Sequence, residues 1–124
     1  VDDNLTFREG LKFFIKSFTS WKIIQEYSSG EEFYNDADKK EIPDIVFMDY
    51  KLPGVDGITI TKKYLSILPE VKIIAVTMHT YRLLFKDLII AGFKGCIQKG
   101  RLYNQIIPAV ESVVNGNSFF SEEY

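Results

Sequence analysis

Apolar side chains recur at Phe7, Leu11, Phe14 and Phe18, steps of four, three and four that share one side of a helix and predict one over residues 5–18. From Trp21 to Tyr27 the rhythm changes. β-Branched and aromatic residues crowd a short stretch that reads as a strand. A second helix is expected after Ser28-Ser29-Gly30, where serine hydroxyls can cap open backbone N–H groups and Glu31 and Glu32 suit the positive end of the helix dipole. Ile45 to Met48 is an unbroken apolar run, the pattern of a strand covered on both faces. Ile60, Tyr64 and Leu68 mark a helix from Gly57 to Leu68 that Pro69 stops. Val71 to Val76 is another buried run, ending at Thr77. Arg82 to Ala91 is a helix closed by Gly92, and Gly95 to Gln98 is a short strand ending at Lys99. The last helix spans Leu102 to Val114, with Ile106, Ile107, Val110, Val113 and Val114 facing inward and Gly116 beyond its end.

Strands alternating with helices predict an α/β fold, an open doubly wound parallel sheet with helices on both faces. The alternation also calls for a strand before the first helix. Val1 reads as its last residue, so that first strand is expected to be largely absent from the sequence. No repeat, low-complexity tract or flexible linker divides the chain, and one domain over 1–124 is expected.

Composition narrows the classes. A length of 124 residues supports one full core, and 46% hydrophobic with 26% charged residues is ordinary for a globular protein. A net charge of −2 offers no basic field for nucleic acid. No apolar run approaches the roughly 20 residues of a membrane span, so no membrane role is expected. Cys96 has no second cysteine to pair with, and a cytoplasmic location is the expectation.

Open parallel α/β sheets bind ligands outside the carboxyl ends of their strands. The residues falling there are Asp2 and Asp3 after the first strand, Asp49 after the third, Thr77 after the fourth and Lys99 after the fifth. An aspartate at a strand end is by itself a turn or cap residue. Three carboxylates, a hydroxyl and an ammonium converging on one edge form a chemical set. Clustered carboxylates repel one another unless a pKa rises or a cation binds. Oxygen ligands without His or Cys favour Mg²⁺. Asp49 could then attack phosphorus, with Lys99 and Thr77 holding phosphate oxygens.

Val1-Asp2-Asp3, the run Asp49-Tyr50-Lys51-Leu52-Pro53-Gly54-Val55-Asp56-Gly57, Thr77 and Lys99 together resemble the signature set of the response-regulator receiver domain. "VDDNLTFREGLK", "VTMH" and "VVNGNSFFSEE" are similar to its NarL/FixJ branch. The resemblance implies a flavodoxin-like sheet of five strands in order 2-1-3-4-5 with five helices. It implies Asp49 as phosphoacceptor and Asp2, Asp3, Asp49 and the backbone carbonyl of Lys51 as Mg²⁺ ligands, with Asp2 acting through water. Thr77 becomes the switch hydroxyl and Lys99 the phosphate-binding lysine. The implied partners are a sensor histidine kinase as donor, a second copy on activation, and DNA only through a C-terminal helix-turn-helix domain that this chain does not contain. The domain would catalyse only its own phosphorylation and dephosphorylation and regulate transcription.

Two positions depart from that pattern. Cys96 stands where the family usually carries a Tyr or Phe, and Gly100 replaces the proline that commonly follows the lysine, which predicts a looser loop there. Lys51 and His79 flank the expected phosphoryl site, Lys51 as a candidate shield against water. A phosphorylation-independent interaction module is the alternative reading. A Mg²⁺-dependent phosphatase would want a carboxylate two residues after the nucleophile, where Lys51 stands.

Overall fold

The computed structural model describes residues 1–38, 41–52, 54, 56–78 and 80–120. The helix α1 (Leu5–Phe18) is capped by Asn4, whose side chain accepts the Phe7 N–H. The short α2 (Gly30–Asn35) begins as expected, with Ser29 accepting the Glu32 N–H. Then follow β1 (Ile45–Asp49), α3 (Gly57–Ile67), β2 (Lys72–Thr77), α4 (Arg82–Ala91), β3 (Gly95–Gln98), α5 (Leu102–Val114) and β4 (Phe119–Phe120). Gly92 ends α4 in the left-handed region, where its N–H reaches the carbonyls of Leu88 and Ile89.

The four strands form one parallel sheet in the order β1-β2-β3-β4. β2 runs through its centre, with Ile73, Ile74, Ala75 and Val76 almost wholly buried. Because side chains alternate, Ile73 and Ala75 join Phe33, Met48, Ile60, Leu84, Leu88 and Cys96 beneath α2, α3 and α4. Ile74 and Val76 join Ile97, Leu102, Ile106 and Val113 on the other face, under α5 and the Phe7–Leu11–Phe14 side of α1. Each such buried aliphatic side chain contributes about 1.5–3 kcal/mol.

The expectation of five strands is corrected in two places. Residues 21–27 are not a strand. Among the described residues their backbone bond to the sheet region runs from the Asp2 N–H to the Tyr27 carbonyl at 3.1 Å. A strand exists by virtue of a ladder, and composition alone cannot supply one. Val1 itself bonds to β1, its nitrogen to the Phe47 carbonyl at 2.6 Å and its carbonyl to the Asp49 N–H at 2.9 Å. Val1 and Asp2 therefore lie between β1 and Tyr27. Phe119–Phe120, in contrast, forms the unpredicted β4, in register with Gly95 and Cys96 of β3.

Two helix faces are also corrected. Val114 is 57% exposed, and the inner face of α5 is Leu102, Ile106, Ala109, Val110 and Val113. Phe18 is 67% exposed in the last turn of α1, its ring against Phe14, while Ile15 is the buried residue of that helix.

Candidate functional site

Asp49 is the last residue of β1, in register with Val76, and is buried. The chain must turn sharply after it, and the Lys51 N–H donates to Asp49 Oδ1 at 3.1 Å as it does so. The turn closes where α3 begins. The Gly57 N–H meets the Tyr50 carbonyl at 2.9 Å, and a Cβ on Gly57 would lie 2.6 Å from the Asp49 carbonyl and from Tyr50 Cα. Only glycine lets α3 start this close to the site.

Asp2 is 3% exposed and is held at four points. Its N–H bonds to Tyr27, its Oδ1 accepts the Asn4 N–H at 2.8 Å, its carbonyl accepts from Arg8 Nη1 at 2.6 Å, and its Oδ2 lies 2.8 Å from Lys99 Nζ. Arg8 is itself anchored, Nε to Glu26 at 3.0 Å, and Lys12 reaches the other oxygen of Glu26 at 2.7 Å. Asp3 is exposed, and one carboxylate oxygen each from Asp2, Asp3 and Asp49 lie within 4.8 Å of one another.

Lys99 follows β3 directly and opens a 3₁₀ turn, Lys99–Arg101, that runs straight into α5. Gly100, from which a looser loop is expected, lies within that 3₁₀ turn. The ammonium sits between three groups: Asp2 Oδ2, Asp49 Oδ2 at 3.5 Å, and the Phe7 ring, whose centroid is 4.4 Å away. Burial pushes the Asp49 carboxyl above its usual range and Asp2 adds to the rise, against the opposing pull of Lys99 and the Lys51 N–H. For Lys99, burial acts to lower the pKa, but Asp2 and Asp49 outweigh it and the net shift is upward.

Thr77 ends β2, 3% exposed and in register with Gln98. Its hydroxyl acts on Tyr50, the residue after Asp49. The Tyr50 phenol is raised first by burial and then by Tyr81, while Thr77 opposes the rise. Cys96 is 1% exposed and in register with Ala75; burial pushes its thiol up to about 12, which makes it an inert packing residue. Lys51 is exposed with Nζ 5.9 Å above the Tyr50 ring, and its N–H is the group placed on Asp49. Pro53, Val55 and His79 lie outside the described residues.

Asp2, Asp3, Asp49 and Lys99 thus come together as the strand-end argument expects. The supporting residues Phe7, Arg8, Asn4, Glu26 and Tyr50 escaped that argument. Phe7 was assigned to the core by its periodicity, and nothing local marks Arg8 as pointing at a carbonyl six residues back. Clefts of about 250 and 430 Å³ open at the opposite end of the sheet, around Glu70, Val71 and Lys72.

The donor set is all oxygen, with a buried Asp2 Oδ2 that makes no well-directed hydrogen bond despite its ion pair with Lys99. Such a set fits a hard divalent cation such as Mg²⁺. An ammonium beside it can hold an anionic oxygen.

The family description "Response regulator receiver domain" matches residues 1–111. The chain belongs to the response-regulator receiver family. It is 29% identical over 123 residues to the response regulator UvrY of Escherichia coli strain K12, covering 99% of this chain and 56% of that protein. It is 29% identical over 122 residues to the transcriptional activator protein ExaE of Pseudomonas putida, covering 98% of this chain and 56% of that one. The receiver chain therefore spans about half the length of the curated relatives it matches. A two-component response regulator of the LuxR family from Aurantimonas sp. SI85-9A1 superposes with a TM-score of 0.88 at 27% identity, covering 95% of this chain and 84% of that one. These likenesses place the receiver on the NarL/FixJ-like branch of two-component signalling proteins. No described helix is long and apolar enough to cross a membrane.

Proposed function

We propose that this receiver is a phosphorylation-controlled switch whose acceptor is Asp49. The observation that carries the reading is the placement of a buried Asp49 carboxylate 3.5 Å from Lys99, with Asp2 and Asp3 within 4.8 Å. In the reaction an Asp49 oxygen forms a bond to phosphorus as the donor's phosphorus–nitrogen bond breaks, and the histidine imidazole of a sensor kinase departs and takes up a proton. Lys99 holds one phosphoryl oxygen. The Thr77 hydroxyl donates to another, giving up its interaction with Tyr50. Asp2, Asp3, Asp49 and the Lys51 carbonyl would hold Mg²⁺, which when bound neutralises charge on the carboxylates and the phosphoryl group.

The output is a change in dimerisation or in an attached helix-turn-helix domain that binds DNA and regulates transcription in the cytoplasm. The apolar outer face of α4, where Leu83 is 70% and Ile90 67% exposed, is available to such a change. Incubation with Mg²⁺ and acetyl phosphate, read by intact mass and oligomeric state, tests the proposal. One phosphoryl adduct that disappears in Asp49→Asn is expected. No adduct, or one indifferent to that substitution, sinks the reading. An adduct without conformational or oligomeric response favours a phosphorylation-independent module, to which the absence of a ring at Cys96 lends its support.

A further inference from the structure

We infer that Arg8 is a positioning residue for the cation site, acting through the main chain of Asp2 and braced by Glu26. The inference rests on the reading of the acidic edge as a Mg²⁺ site. Of the four holds on Asp2, two are made by backbone N–H groups and one by Lys99, which shares itself with Asp49. The fourth is the 2.6 Å bond from Arg8 Nη1 to the Asp2 carbonyl. This carbonyl belongs to the peptide joining Asp2 to Asp3, so fixing it orients both acidic residues at once.

The guanidinium is suited to this task because it is planar and forked. One arm reaches the carbonyl while Nε bonds Glu26 at 3.0 Å, and the side chain is 17% exposed. Glu26 is in turn held by Lys12 at 2.7 Å, so its carboxylate is kept charged, first by Lys12 and then by Arg8. The segment carrying Glu26 is not laddered into the sheet. Arg8, Glu26 and Lys12 strap it to α1 and to the site.

Charge and position predict opposite signs. Arg8 is a cation beside a cation site, so by Coulomb's law its removal tightens Mg²⁺ binding. As a positioning residue, its removal loosens Asp2 and Asp3 and weakens binding, and partners of metal ligands typically cost roughly tenfold or more in affinity when lost.

The test is calorimetric titration of Mg²⁺ into the metal-free full chain, with thermal melts in chelator to verify folding. Arg8→Met, which keeps the apolar stem, is expected to weaken Mg²⁺ by roughly tenfold. Arg8→Lys restores part of the affinity, and Glu26→Gln, which leaves the Arg8 charge in place, also weakens it. Lys16→Met removes an exposed cation of the same helix that takes no part in the strap and leaves affinity little changed. Unchanged or tighter binding by Arg8→Met overturns the inference, as does an equal loss in Lys16→Met. If Arg8→Met does not fold, unchanged binding by Glu26→Gln overturns it. Failure of the underlying reading looks different: the wild-type chain then binds no Mg²⁺ that Asp3→Asn and Asp49→Asn abolish.

Discussion

Asp49 sits in a conflict between burial and charge. Its carboxyl is pushed up chiefly by burial, and the Lys99 ammonium at 3.5 Å only partly compensates. Above the unfolded carboxylate pKa of about 4, the native state therefore retains a proton that the unfolded chain has released. Native stability from this residue is fully present below that pH and is lost as pH rises through the elevated native value. Asp49→Asn keeps the shape and removes the charge. In chelator, its melting temperature is expected to exceed that of the wild type, with the gap opening as pH rises from about 4 to 7. Thermal melts across that range check it; a gap that is constant or reversed contradicts the account. The place of Asp49 was legible in the sequence because a carboxylate ending an apolar run has its position dictated by that run. Its conflict with burial was not, because it depends on Lys99 and Asp2 arriving from distant parts of the chain.

Periodicity places a helix on its core but leaves the edge of the buried stripe uncertain. Val113 and Val114 are the same residue at adjacent positions of α5, one wholly buried and the other 57% exposed. A step of about 100° separates them, enough to carry Val114 out of the face shared by Ile106, Val110 and Val113. Val113→Ala is expected to cost about 2 kcal/mol and Val114→Ala less than about 0.5 kcal/mol, measured by urea unfolding. Equal costs would place the core face of α5 elsewhere. The strand assignments failed for a related reason. Residues 21–27 and Phe119–Phe120 are both apolar or aromatic, and the difference is the ladder that β3 offers to one and not to the other. Local composition contains no record of that neighbour.

Across the whole molecule, stability is graded outward from β2, which pairs with β1 and β3 and is covered on both faces. Amide hydrogen exchange is expected to be slowest for Ile73 to Val76 and much faster across residues 22–25, with the local opening free energy of that segment well below the global value. Comparable protection in both would mean that the segment is paired as a strand in solution. The Arg8–Glu26–Lys12 strap then acquires a second meaning, because it joins a segment without a strand ladder to the acidic edge.

By itself the sequence determined the three apolar runs that become β1, β2 and β3, the helices between them and the polar residues at their carboxyl ends. Those features follow from near neighbours along the chain, through side-chain period and the position of a polar residue at the end of an apolar run. Tertiary structure decided the rest: that Lys99 lies closer to Asp2 than to Asp49, that Phe7 underlies its ammonium, that Arg8 grips the Asp2 carbonyl, and that Phe119–Phe120 completes the sheet. Each is a contact between segments brought together only when the two cores close on β2, and no window of sequence holds both partners together with the geometry that joins them.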